Sequence, residues 1–142
     1  MTSTAVSSQG TKLAKNTGTT QAPVWSAIKN MSNLNGFAGS ASDIDVTDFD
    51  STAKEYRQGL QDWDTVSFDI NINMKEASHA ALLADKKTGV IASYQATLSD
   101  GTTIEFEAYV KSFPITSAVD NVVKGTVVIK ITGDIEVTPA AA

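Results

Sequence analysis

The chain contains no cysteine. That excludes a disulfide framework, a thiolate metal centre and a cysteine nucleophile, although it does not by itself identify a compartment. Histidine is almost as scarce, with the single residue His79. One imidazole without thiolates supplies a transition-metal site poorly, and nucleophilic catalysis is left short of its usual base. His79 stands beside Leu82 and Leu83, which favours a packed, hydrogen-bonded histidine over a general base. Basic residues are outnumbered: eleven Lys and Arg face sixteen Asp and Glu, for a net charge of −5. The bases are scattered, so clustered phosphate contacts are not supplied and weak repulsion from DNA is expected. No apolar run approaches the length of a membrane span. The opening "MTSTAVSSQGTKLAKNTGTTQAP" lacks the apolar stretch of a secretory signal. A soluble chain made in the cytoplasm, with no membrane partner, is the expectation. There is also no P-loop, no dinucleotide fingerprint and no G-x-S-x-G.

What remains is an ordinary globular composition, 42% hydrophobic and 19% charged over 142 residues. That length suits one domain, and such a chain buries roughly 68–70% of its unfolded surface without staples. The most conspicuous acidic stretch is "DIDVTDFDSTAKEYRQGLQDWDTVSFDI", Asp43 to Ile70. An EF-hand loop begun at Asp43 would need an acid or Asn at its fifth position, Gly at its sixth and Glu at its twelfth. Thr47, Asp48 and Lys54 stand there instead, so the spacing fails and no metal site is assigned. Asp43 and Asp45 read better as the wet face of a short strand whose dry face is Ile44 and Val46. Paired-carboxylate chemistry needs two acids flanking a cleft, and nothing in the pattern implies one. No catalytic, cofactor-binding or metal-binding residue is assigned, and the protein is not expected to be an enzyme.

The periodicities divide the chain. Residues 1–23 are rich in Ser, Thr, Gly, Gln and Ala and lack a sustained period, which reads as a flexible N-terminal arm ending at Pro23. Deleting residues 1–20 should then leave a folded monomer. "VWSAIKNM", Val24 to Met31, is a candidate first strand, followed by the loop "SNLNGFAGSAS" with an Asn35-Gly36 turn signal. From Asp48 to Asp64 no clean period appears, apart from a candidate helical turn in "STAKEY" that Gly59 would end. A loop of that length within a domain is uncommon and usually functional or mobile. "TVSFDININM" alternates cleanly, with Val66, Phe68, Ile70, Ile72 and Met74 on one face. "EASHAALLADKKTG" switches to helical spacing and stops at Gly89. Asp100-Gly101 predicts a hairpin with a type I′ turn, whose second arm alternates Ile104, Phe106, Ala108 and Val110 against Glu105, Glu107, Tyr109 and Lys111. A last strand keeps one parity from Val123 to Val137. The amphipathic helix must bury its stripe on a sheet face. The fold class is therefore mainly β: an antiparallel β-sandwich or half-barrel flanked by one α-helix. It occupies residues 24–138, with a short C-terminal tail at 139–142.

Aromatic residues Trp25, Phe37, Phe49 and Trp63 fall in or beside loops. They either cover core edges or anchor an interface, where aromatics are enriched.

The ordered set of an acidic strand, the "AKEY–GL–DW" loop, the "ALLAD" helix, the "DGT" hairpin, "YVKSFP" and a final "TG" strand resembles the major tail tube proteins of long-tailed, non-contractile bacteriophages. The likeness runs over about residues 24 to 138. It implies a β-sandwich with a flanking helix that assembles into hexameric rings, stacked into a hollow tail tube through which DNA is ejected. It implies a virion protein assembled in the host cytoplasm, with itself, a tape-measure protein, and terminator and tail-tip proteins as partners. DNA passes the lumen without specific binding. The family's inter-subunit loop maps to about Thr47 to Trp63, making Asp48, Phe49, Asp50, Lys54, Tyr56, Arg57, Leu60 and Trp63 candidates for subunit and ring-stacking contacts. Acids on the wet faces of central strands, Asp69, Glu105 and Glu107, are candidates for the lumen wall, where negative charge repels phosphate. Two other expectations remain open: a type VI secretion-like tube subunit of the same architecture, and a soluble carbohydrate- or calcium-binding β-sandwich.

Overall fold

A computed structural model describes residues 3, 5, 9–19 and 21–139. Nine strands and one helix follow in the order β1 (Lys12–Asn16), β2 (Trp25–Ala27), β3 (Met31–Gly36), β4 (Ala41–Asp45), β5 (Tyr56–Gln61), β6 (Thr65–Asn71), α1 (Ala77–Thr88), β7 (Ala92–Thr97), β8 (Thr103–Ser112) and β9 (Lys124–Thr138). Seven of the strands form one antiparallel sheet in the order β2-β1-β7-β8-β9-β6-β3, and β4 and β5 form a separate two-stranded hairpin.

The topology forces the large sheet to curl. β2 and β3 are its two edges, yet only Ile28, Lys29 and Asn30 join them. Laid flat, seven strands would place those edges roughly 29 Å apart at the usual strand spacing. The four Cα steps from Ala27 to Met31 reach about 14 Å at most. The sheet therefore wraps toward itself as an open half-barrel, as the expected fold class requires. An edge-to-face contact between Phe37, just beyond β3, and Phe106 on β8, with ring centroids 5.2 Å apart, spans the enclosed core. The inward row is the one the alternation predicts: Val66, Phe68 and Ile70 of β6, Phe106, Ala108 and Val110 of β8, and Val127, Ile129 and Ile131 of β9 are all buried.

α1 covers the core where the sheet is open. Leu82 and His79 are fully buried. His79 Nδ1 accepts the Asn73 amide at 3.0 Å, which fixes the proton on Nε2, and Nε2 donates to the Lys29 carbonyl at 2.6 Å. This one side chain thus ties the helix to the link that joins the sheet edges. At the other end of the helix Asp85 pairs with Lys15, which points inward from β1. Gly89 closes α1 in the left-handed conformation (φ 71°), its amide returning to the Asp85 carbonyl.

Four sequence expectations change. The N-terminal arm does not extend to Pro23, because Lys12–Asn16 is a strand within the sheet and Leu13 is fully buried; removing residues 1–20 would take out part of the core. The first strand is not Val24–Met31: Trp25–Ala27 and Met31–Gly36 are separate edge strands, the latter inside the segment expected as a loop. The "STAKEY" turn is not helical; Tyr56 begins β5 and Gly59 lies within it. The hairpin turn is not type I′, since Gly101 has a positive φ while Asp100 does not. The Gly101 amide returns to the Leu98 carbonyl and the Leu98 amide bonds to the Thr102 carbonyl, the pattern of a three-residue loop with a glycine bulge. Of the expected C-terminal tail only Pro139 is among the described residues.

Candidate functional site

The hairpin of β4 and β5 is the feature that the core does not explain. Its strands pair only with each other, Asp43 opposite Gln58, Ile44 opposite Arg57 and Asp45 opposite Tyr56. Gly59 permits this pairing, because a Cβ there would lie 2.2 Å from Ser42 Oγ. Both faces of the hairpin are open to solvent. Ile44 and Val46, expected as a dry face, are exposed, and so are Tyr56 and Leu60, the last at 89%. Phe49 at the tip is wholly exposed. A short alternating strand reads as half-buried only when something covers it, and nothing within the described residues covers this one.

The tip is held by local hydrogen bonds rather than by packing. Asp48 Oδ1 accepts the Asp50 amide at 3.0 Å and the Ser51 hydroxyl at 3.1 Å. The single Ser51 hydroxyl proton is shared with Glu55 Oε2, which lies nearer at 2.7 Å, and Thr47 Oγ1 accepts the Glu55 amide at 2.9 Å. The hydroxyl and amide of Thr47 hold the Asp45 carboxyl below the usual carboxylate range. Lys54 lies 3.7 Å from Asp45, an exposed pair worth little in water.

The neck is built differently. Trp63 is half-buried against the core cluster, and its indole Nε1–H donates to Asp134 Oδ1 at 2.8 Å. Lys130 of β9 sits within 3.2 Å of Asp62 and 3.4 Å of Asp64, on either side of Trp63. The Trp63 hydrogen bond, and then the Ile135 amide, lower the Asp134 carboxyl below its ordinary value. The Asp64 amide and Lys130 do the same for Asp62, and the carboxylates of Asp62 and Asp64 raise Lys130. Gly39 passes so close to the Asp62 carbonyl that a Cβ would meet its oxygen at 1.7 Å. Of the eight residues expected on the inter-subunit loop, Asp48, Phe49, Asp50, Lys54, Tyr56, Arg57 and Leu60 all sit exposed on the projecting hairpin. Trp63 belongs to the neck. Among the other aromatics, Phe37 packs into the core edge on Phe106 and Trp25 is half-buried on β2.

The three acids expected on a wet face do face away from the core, but they do not form one group. Glu105 and Glu107 are on β8, and Glu107 is level with Thr132 of β9, whereas Asp69 of β6 is level with Thr126. Six residues of strand separate those levels, roughly 20 Å. Asp69 accepts from Thr126 Oγ1 and from Asn33 Nδ2, and Glu105 accepts from Gln95 at 3.1 Å. Glu105 and Glu107 line a shallow groove of about 490 Å³ together with Asp134 and Glu136. Both Asp134 and Glu136 share the wet parity of Thr126 and Thr132, and the bulge of Gly133 and Asp134 between the Phe106–Ile135 and Glu107–Thr132 pairs preserves it. Among the described residues no group of three or more His, Cys, Asp or Glu has the geometry to hold a metal ion, and no helix is long and apolar enough to cross a membrane.

Comparison with known proteins gives a consistent picture. Residues 4–104 match the family model described as phage tail tube, TTP, lambda-like. "Structural protein 3" of Pseudomonas phage PAJU2 is 28% identical over 126 residues, covering 73% of this chain and 77% of that protein. Among solved structures, the tail of an empty gene transfer agent particle, refined with C6 symmetry, superposes with a TM-score of 0.71 at 13% identity, over 89% of this chain and 96% of the other. The SPP1 tail tube superposes with a TM-score of 0.74 at 10% identity, over 91% and 77%. At these identities the superpositions establish a common fold.

Proposed function

Because the chain belongs to the lambda-like phage tail tube family, whose members are structural proteins of the virion, we propose that it polymerises into six-membered rings stacked as the hollow tube of a phage tail, the conduit for DNA at ejection. The observation that supports this reading is the β4–β5 hairpin: a projection with Phe49, Leu60, Tyr56 and Ile44 exposed and no strand partner among the described residues of its own subunit. Tyr56 and Leu60 stand on one face of the hairpin and Ile44 on the other, and leaving apolar surface on both faces in water is unfavourable by about 25 cal/mol per Å². A neighbouring copy removes it from water. Six-fold rings accord with the C6 tail that shares this fold.

In the assembled tube, the hairpin residues Asp48, Phe49, Asp50, Lys54, Tyr56, Arg57 and Leu60 join neighbouring subunits or successive rings, and Trp63 sets the angle at which they are presented. The wet face of the large sheet supplies the lumen wall, with Asp69, Glu105 and Glu107 repelling the phosphates of passing DNA; ring symmetry repeats each charge around the bore. The tube forms in the host cytoplasm around a tape-measure protein and ends on terminator and tail-tip proteins.

Electron microscopy of the purified protein at rising concentration tests this directly. Uniform hollow tubes are expected, and loss of tubes when residues 46–55 are replaced by a short Gly-Ser turn. A protein that stays monomeric at millimolar concentration, or tubes that form without the hairpin tip, would overturn it.

A further inference from the structure

A hairpin that joins subunits needs a surface that receives it. The tip places a wholly exposed phenyl ring between two carboxylates, Asp48-Phe49-Asp50. The hairpin as a whole is acidic: from Ala41 to Gln61 it carries Asp43, Asp45, Asp48, Asp50 and Glu55 against Lys54 and Arg57. Its complement would be an open apolar surface rimmed by unpaired cations.

The place on the chain that offers these elements is a groove with a polar wall and an exposed apolar pair, which two unpaired lysines precede in sequence. Val90 and Ile91 follow the helix stop at Gly89 and are 51% and 55% exposed. They form one wall of a groove of about 520 Å³ whose other wall is the turn after β1, Asn16 to Thr19. Immediately before them Lys86 and Lys87 occupy the last turn of α1, both exposed and neither in an ion pair among the described residues. The nearest helical acid, Asp85, is already engaged by Lys15. Another exposed apolar group, Ile115, Val119 and Val122, carries Asp120 among its residues, which would repel the same tip.

We propose that the Asp48-Phe49-Asp50 tip of one copy seats in the Val90–Ile91 groove of a second copy, with its carboxylates against Lys86 and Lys87. This rests on the tube-subunit reading for its biological setting, though the contact itself can be tested apart from it. Tip and groove are different surfaces of the same chain, so the contact is heterologous, and each copy both gives a tip and offers a groove. Such contacts propagate into rings or filaments rather than closing at a dimer. Opposite charges around the apolar plug steer encounter and fix register.

The absence of cysteine makes the test clean. Separate Phe49→Cys and Ile91→Cys proteins are mixed and oxidised with diamide, and a disulfide-linked dimer containing one of each is expected. Phe49→Cys mixed with Val119→Cys is expected to give far less. Lys86→Glu with Lys87→Glu in the Ile91→Cys copy should lower the dimer yield severalfold, and Asp50→Lys in the Phe49→Cys copy, which leaves the Asp48 hydrogen bonds of the tip in place, should restore part of it. All substituted side chains are exposed, so each variant should keep the wild-type melting curve. No mixed dimer, equal linkage to the Val119→Cys copy, or no rescue by the reversed charges would overturn the proposal. Tube formation by the wild-type protein is scored separately. A mixed dimer without tubes would leave the contact standing and sink the tube, and tubes without the mixed dimer would do the reverse.

Discussion

Trp63 Nε1–H donates to Asp134 Oδ1 at 2.8 Å, which fastens the neck of the β4–β5 hairpin to the bulge in β9. The bulge exists because β9 inserts two residues, Gly133 and Asp134, opposite a continuous run of β8; Gly133 takes a φ of 83° to make it. Two extra residues preserve the parity of the strand, so Ile131 and Ile135 remain on one face while Asp134 turns toward Trp63.

The neck should loosen in acid. The Asp134 and Asp62 carboxyls are held below their ordinary value of 3.8. Groups with a depressed folded value contribute stability that is present above the ordinary value and is lost as pH falls through the folded one. The window therefore lies below about pH 4. In a Trp25→Phe background, the Trp63 indole N–H resonance should move toward its free position over that range before the core melts. Asp134→Asn should flatten the response. A resonance unchanged down to global unfolding would contradict this.

Phe49→Ala should leave the monomer's stability within about 0.5 kcal/mol of wild type, as for exposed positions in general, because the ring is wholly exposed among the described residues. Assembly should suffer instead. Paired thermal melts and sedimentation velocity separate the two effects, and a destabilised monomer would mean the ring packs somewhere in solution.

His79→Phe should destabilise by about 2–6 kcal/mol. It keeps the bulk but strands the Asn73 amide and the Lys29 carbonyl in a buried site, and each orphaned group costs roughly 1–3 kcal/mol. Urea unfolding measures it. His79→Gln, which can accept from one partner and donate to the other, should recover part of the loss.

Leu13→Ala should cost about 2–5 kcal/mol, the usual range for a buried leucine. The same substitution in a flexible arm would cost nothing. Chemical denaturation with both variants of the first twenty residues, Leu13→Ala and the exposed Lys12→Ala as control, decides between arm and strand.

The places where the sequence could not be read share a cause. β3 hides its period because Ser32 bulges between the Met31–Ile70 and Asn33–Asp69 pairs. Met31 and Leu34 then point inward although they are three residues apart, and the alternation is lost. β1 was hidden by Lys15, an inward lysine that is acceptable only because Asp85 of a distant helix meets it. β6, α1, β7, β8 and the first half of β9 were legible because each buries one continuous face, and burial writes period two or period 3.6 into the residues. The hairpin residues were legible as a group of candidates, but Trp63's place at the neck depends on Asp134, a residue 71 positions away.

By itself the sequence determined the chemistry that is excluded, the mainly β class with one helix, the inward rows of the long strands, and the acidic segment set apart from them. Those are properties of composition and local period. The tertiary structure alone decided that two edge strands joined by three residues make the sheet curl, that Leu13 belongs to the core and Lys15 points inward to Asp85, and that the acidic segment stands out from the body as a hairpin. Each of these depends on which distant residues meet, and a chain's local pattern records that a side chain is buried without recording what buries it.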